Sequence, residues 1–282
     1  MQIFFLSDSC ICHFFVVILQ RKIDNTMRKT IFFICTLVLC AYAMPALSWG
    51  QKGHRIIAQI AYDHLSKKAK KQVDAVMGER GMIYWANWPD EIKSDTIYPI
   101  SYDWHFQDFD GGLSDEQIVD ALVHYPKEGG NLFRALDSLV IAEKTEHNLR
   151  FIVHLSGDRY CPMHMARMDD KGGNKVKMKW FRQETNLHNV WDEKLIDSRG
   201  YSYTEYAQML EDMYGHERAQ IERATDAELL VQSYHITEAI YAYQKTWDGN
   251  TYHYIYRWHE PMEHQLYIAG IRLAKLLNEL YR

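Results

Sequence analysis

His154 and Asp158 stand four residues apart in the segment Phe151–His164, FIVHLSGDRYCPMH, and His164 closes it. A helix brings positions i and i+4 onto one face. The same spacing recurs in TNLHNVWDEKL, where His188 precedes Asp192. Imidazole nitrogens and carboxylate oxygens projecting from facing helices are the means by which helical proteins build metal sites, and both are donors that zinc accepts. The chemistry that this pattern predicts is metal binding shared among several chain segments.

Those donors need helices to hold them. Ile56, Ile57, Ile60, Ala61 and Leu65 lie at helical spacing within 53–71, and a second helix is expected to begin near Ser66. Gly78 to Gly81 breaks the chain. Residues 84–110 are rich in Trp, Pro and Asp without a sustained period, so a loop with short helical pieces is expected. Ser114-Asp115-Glu116-Gln117 is a helix start with acidic residues in its first turn. Residues 131–154 read as helical in one or two pieces, and DDKGGN at 169–174 reads as a turn. Further helices are expected over 184–196, 203–214, 226–243 and 260–280. Strand signals are almost absent. The predicted class is all-α, with a single domain over 49–282.

Residues 1–48 are read as a leader. Met27-Arg28-Lys29-Thr30 is a short basic start, residues 31–43 are apolar, and Ala46 and Ser48 fall at −3 and −1 before Trp49. That is the pattern of a secretory signal peptide, and the apolar run is short of the ~20 residues of a membrane span. Residues 1–26 read as an over-extended start or as the first part of a longer leader. Leu39 before Cys40 lacks the small residue of a lipidation signal. Secretion, to the periplasm or the exterior, is expected. Four of the five cysteines lie in this leader, leaving Cys161 with no intrachain partner. Removing the leader takes away four basic and two acidic residues and moves the formal charge from −5 to −7. Proteins that grip a nucleic-acid backbone by their own charge are usually basic. An anionic substrate would here have to be held by bound cations.

Taken together, WGQKGHRIIAQIA from Trp49, then WPD, WHFQD, HLSGDRYCPMH, DDKGGN and NLHNVWD make the sequence resemble the zinc-dependent single-strand-specific nucleases of the mung bean nuclease type. That family is related in fold to bacterial zinc phospholipase C. The resemblance covers essentially all of 49–282. It implies three zinc ions in an α-helical fold. Asp90, His105, His154 and Asp158 match the ligands of the first. Asp158 also matches the bridge to a second, held by His54 and by the amino nitrogen and carbonyl oxygen of Trp49. His164, His188 and Asp192 match the third. Asp108 matches a catalytic carboxylate that contacts the attacking water, Phe106 an aromatic that stacks a base, and Asn174 a polar contact near substrate. The activity implied is hydrolysis of single-stranded DNA or RNA to 5′-phosphorylated products, with removal of a terminal 3′-phosphate; nothing in the sequence demands more than a monomer.

Two departures from the family pattern stand out. Pro89 precedes Asp90 where Ala is expected, and Arg159-Tyr160-Cys161-Pro162 differs between the bridging Asp158 and His164. Cys161 reads first as a small buried residue and second as a stray thiolate ligand. His64, His124, His147, His216, His235, His253, His259 and His264 match no ligand position and read as structural or surface residues. The Tyr-rich stretch 234–256 reads as core packing before it reads as a base-stacking platform. Two rival functions remain open at this level. A zinc phospholipase C would be expected to carry Glu where Asp192 stands. A secreted zinc-binding protein without turnover would not need Asp108.

Overall fold

A computed structural model describes residues 49–93, 95, 97, 98 and 101–282; the leader expected at 1–48 lies outside the described residues. The chain is all-α, as its periodicity predicts. Helix α1 (Gln51–Asp63) buries Ile56, Ile57, Ile60 and Ala61 along one stripe. It lies against the long C-terminal helix, where Gly270 leaves room for Ile60: a β-carbon there would come within 2.6 Å of the Ile60 side chain. Ser66 ends the connection and caps α2 (Lys67–Met77), accepting from the Ala69 amide at 3.1 Å.

The stretch expected as loop contains the short helices α3 (Gly81–Trp85) and α4 (Trp88–Ile92) and a 3-10 turn, Ser101–His105. Ser114 and Gln117 form a reciprocal capping box that starts α5 (Asp115–His124). Residues 131–154 divide into α6 (Leu132–Ile141) and α7 (Glu146–Asp158), with Thr145 capping the second. Then come α8 (Tyr203–Tyr214), α9 (Arg218–Arg223), α10 (Asp226–Gln244) and α11 (Thr251–Leu280).

Two expectations change. The helix predicted from residue 184 begins only at Leu187, because 183–186 pair instead with the preceding segment. Strands β1 (Lys177–Trp180) and β2 (Gln183–Asn186) form an antiparallel hairpin, with Lys177 opposite Asn186 and Trp180 opposite Gln183. Met178 and Trp180 are buried while Lys177 and Lys179 face solvent, which is the period-two pattern of a strand. The last helix starts at Thr251 rather than at 260. Asn250 caps it, accepting from the Tyr252 amide at 3.0 Å, and Pro261 lies inside the helix instead of opening it. The Tyr-rich stretch is mixed: Tyr234 and Tyr254 are buried, whereas Tyr252 and Tyr256 are exposed.

The packing includes a buried charge. Glu263 on α11 is 1% exposed and accepts from Arg199 Nε at 2.7 Å and from the Tyr206 hydroxyl at 2.9 Å. Arg199 is itself partly exposed, so removing it leaves the buried Glu263 carboxylate with the Tyr206 hydroxyl as a remaining donor, at a cost of about 1–2 kcal/mol. Arg199→Met is therefore expected to lower the urea midpoint clearly. An unchanged midpoint would show that water or Tyr206 alone satisfies Glu263.

Candidate metal centre

Six separate pieces of chain deliver the donors. His54 sits on the first turn of α1, Asp90 on α4, and His105 ends the 3-10 turn Ser101–His105. His154 and Asp158 lie on α7, within an unbroken buried run from Leu149 to Asp158. A second 3-10 turn, Pro162–Met165, carries His164. His188 lies in the helical turn Leu187–Asn189, and Asp192 in the π-helical turn Val190–Lys194. One-turn π-segments are frequent at functional sites because they re-aim side chains. All eight residues are buried.

Asp158 is the hub. Its Oδ1 lies 3.3 Å from His54 Nε2 and 3.5 Å from His164 Nδ1. Its Oδ2 lies 3.2 Å from His105 Nδ1 and 3.3 Å from His154 Nε2. One carboxylate thus divides four imidazoles between its two oxygens. Asp90 Oδ1 approaches His105 Nδ1 at 3.5 Å and His154 Nε2 at 3.6 Å. At the other end, His188 Nε2 meets Asp192 Oδ2 at 2.9 Å, and His164 Nε2 is 3.8 Å from Asp192 Oδ1. The rings of His54 and His154 stack at 3.7 Å, those of His164 and His188 at 5.2 Å.

The surroundings orient the rings. A carbonyl only accepts, so His154 Nδ1 must donate to the Ala86 carbonyl at 2.7 Å, which turns Nε2 inward. His188 Nδ1 likewise donates to the Gly172 carbonyl at 2.6 Å. Such outer contacts fix the tautomer of ligating histidines. Gly172 (φ +62°) permits the second one: a β-carbon there would fall 2.9 Å from the Met163 carbonyl oxygen. This explains the first glycine of DDKGGN. Gly157 admits His54, whose ring lies within 3.1 Å of where a β-carbon would stand.

The electrostatics suit cations. Burial would raise the Asp158 carboxyl, yet His154 and His164 beside it hold it well below the usual range. Asp90 is lowered likewise: burial opposes ionisation, and His154, His105 and Lys93 outweigh it. Burial lowers His164 to about 4 and, with His154 adjacent, also lowers His54, whereas in His154 and His188 the effect of burial is outweighed by Asp158 and Asp192, which raise them. Buried His105 Nε2, Asp158 Oδ1, His164 Nδ1 and Asp192 Oδ2 make no hydrogen bond of good geometry. Donor atoms of His54, Asp90 and His154, of His105, His154 and Asp158, and of Cys161, His164 and Asp192 lie within 4.8 Å of one another in each group. A donor set of imidazole nitrogens and carboxylate oxygens fits zinc.

Asp108 stands apart from that hub. The amides of Gln107 and Phe109 donate to the carbonyls of His164 (2.9 Å) and Ala166 (2.8 Å), fastening the segment to the His164 turn. Burial, with Asp170 adding to it against His188, pushes the Asp108 carboxyl up to about 7. Its Oδ1 is buried without a hydrogen bond. A group titrating near neutrality is suited to take up and return a proton. Beside it opens a cleft of about 770 Å³, lined by Asp108, Phe109, Leu113, Asp120, Glu128 and Met168 among others. So acidic a wall repels a polyanion unless cations stand nearby.

The remaining predicted residues are placed less tellingly. Trp49 is fully buried, its indole donating to the Gly157 carbonyl at 3.0 Å, next to Asp158. Phe106 is half-buried against Tyr102. The Asn174 amide donates to the Lys171 carbonyl of its own loop. Burial, with Asp192 next to it, raises the Cys161 thiol well above its ordinary range. Lys93, no candidate from the sequence, buries its ammonium 3.1 Å from Asp90 Oδ1. The i, i+3 spacing of Asp90 and Lys93 on one helical turn is the signal that could have found it. Of the histidines read as structural or surface, His64, His124, His235, His253 and His264 meet carboxylates outside the cluster, and His259 bonds Ser198.

Helical scaffold and buried donors together define the class: an α-helical protein with a buried cluster of histidines and carboxylates that could hold metal ions. The chain belongs to the S1/P1 nuclease family, whose profile, S1/P1 Nuclease, matches residues 49–282. It is therefore a nucleic-acid phosphodiester hydrolase by family. Endonuclease 3 of Arabidopsis thaliana is 27% identical over 282 residues, covering 89% of this chain and 95% of that protein. Nuclease S1 of Aspergillus oryzae is 25% identical over 177 residues, 58% of this chain and 60% of its own. Nuclease P1 of Penicillium citrinum is 28% identical over 175 residues, 56% and 63% respectively.

Proposed function

We propose that the chain is a secreted, monomeric, zinc-dependent endonuclease acting on single-stranded DNA and RNA, with 5′-phosphorylated products and removal of terminal 3′-phosphates. The observation that carries this reading is Asp158 turning one oxygen to His54 and the other to His105 and His154, the arrangement of a carboxylate that bridges two cations. Asp90, His105, His154 and Asp158 would hold one zinc. Asp158, His54 and the amino nitrogen and carbonyl oxygen of Trp49 would hold a second, and His164, His188 and Asp192 a third. Zinc there would supply Lewis acidity toward a phosphoryl oxygen and toward the attacking water.

The chain's own groups do the rest. Asp108 orients that water and accepts its proton. Lys93 holds Asp90 in place and adds fixed positive charge to the centre. The bond from phosphorus to the 3′ oxygen breaks, so the phosphate stays on the 5′ end of the departing strand. The half-exposed Phe106 ring stacks an unpaired base, and Asn174 contacts substrate from the neighbouring loop. A base within a duplex would first have to leave its stack, which gives the single-strand preference.

Trp49 ligates through a free amine only after the leader, 1–48, is removed. An α-amino group with a pKa of ~7.7 is partly neutral at physiological pH, whereas an amide nitrogen is a poor ligand. Protein carrying one extra residue before Trp49 is expected to bind one zinc fewer than the processed protein. Equal zinc content in both would remove the amine from the ligand set.

End-labelled single-stranded and duplex oligonucleotides test the activity directly. Cleavage of the single strand with 5′-phosphate ends, much faster than of the duplex, is expected. Cleavage of phosphatidylcholine in place of nucleic acid would assign the chain to the rival phospholipase reading.

A further inference from the structure

Cys161 lies between α7 and the Pro162–Met165 turn and is fully buried. A cysteine serving only as filler would be enclosed by carbon. This one points its sulfur at a carboxylate: Sγ is 3.5 Å from Asp192 Oδ1. His164 Nε2 addresses the same oxygen at 3.8 Å. Cys161, His164 and Asp192 each offer a donor within 4.8 Å of the others. A second observation points to a ligand among them. Asp192 Oδ2, on a residue 1% exposed, makes no hydrogen bond of good geometry and faces His188 Nε2 at 2.9 Å, so both oxygens of this carboxylate address donors of the same group.

The spacing is informative. A thiolate at ~2.3 Å and a carboxylate oxygen at ~2.0 Å from one tetrahedral zinc stand about 3.5 Å apart. The Cys161–Asp192 separation has that value without any rearrangement. We propose that Cys161 is a ligand of the metal ion held by His164, His188 and Asp192, so that this position has sulfur, nitrogen and oxygen donors. The inference rests on the metal centre proposed above and gives one of its positions a distinct character. On binding, the S–H bond is replaced by a sulfur–metal bond, and the proton passes to solvent; nothing is oxidised or reduced. One thiolate and one carboxylate balance a dication, and sulfur favours soft cations over hard ones.

Cobalt(II) is the probe, added to protein expressed with its own leader, with bound metal counted in the same sample. The expected result is a sulfur-to-cobalt charge-transfer band in the near ultraviolet, lost in Cys161→Ser carrying the same cobalt. The variant should also release one proton fewer per chain when the metal binds. If Cys161→Ser does not fold, the parent spectrum decides alone. Cobalt bound in full without the band overturns the thiolate ligand and leaves the nitrogen–oxygen centre standing. Failure to bind cobalt or zinc at all overturns both.

Discussion

Asp108→Asn is expected to slow hydrolysis of single-stranded DNA about 10²- to 10⁴-fold, the range contributed by a positioned acid–base group. Metal content should not change. The amide keeps the shape of the carboxylate but cannot accept the proton of the attacking water. Asp108 is no member of the donor groups around Asp158 and Asp192, so its replacement leaves them intact. Turnover and metal content measured on one preparation separate the possible roles. Loss of both would make Asp108 a ligand, and full activity would remove it from the reaction.

Asp158→Asn is expected to have the larger effect. The carboxylate sits among His54, His105, His154 and His164 and is ionised despite complete burial. An amide presents one oxygen and one NH2, so it cannot serve the metal position at His54 and the one at His105 and His154 together. The two positions that share Asp158 should lose zinc together, while the position at His164, His188 and Asp192 keeps it. Hydrolysis should fall below that of Asp108→Asn. Metal analysis shows the difference: unchanged zinc in Asp158→Asn would mean that the histidines bind without the bridge.

Much of the centre is legible in the sequence because its chemistry is local there. His154 with Asp158 and His188 with Asp192 are i, i+4 pairs, and helix periodicity alone puts each pair on one face. Asp90, His105 and His54 come from distant segments, so only the resemblance, not the spacing, assembles them with Asp158. Cys161 is adjacent to the site in sequence, but whether its sulfur faces carbon or the Asp192 carboxylate depends on the turn after α7. Lys93 is hidden because lysine is not a metal donor, although its spacing from Asp90 is readable.

The fold shows the same division. Ser66, Ser114 and Ser202 mark helix starts through hydrogen bonds within three residues of themselves, so these starts are readable. The β1–β2 hairpin depends on burial of Met178 and Trp180 by other parts of the chain, and residues 183–186 alone do not signal it. The start of α11 lies nine residues before the expected one, and Pro261, a residue that favours a first helical turn, falls well inside it. Here tertiary packing carries it inside a helix that Asn250 has already begun.

The most direct test of a zinc-borne single-strand hydrolase is nucleotide release from single-stranded DNA and RNA by the processed protein, followed through chelation and zinc return. Release of 5′-phosphorylated products that stops with the chelator and recovers with zinc is the predicted result. Undiminished release from protein shown to be free of metal would contradict it.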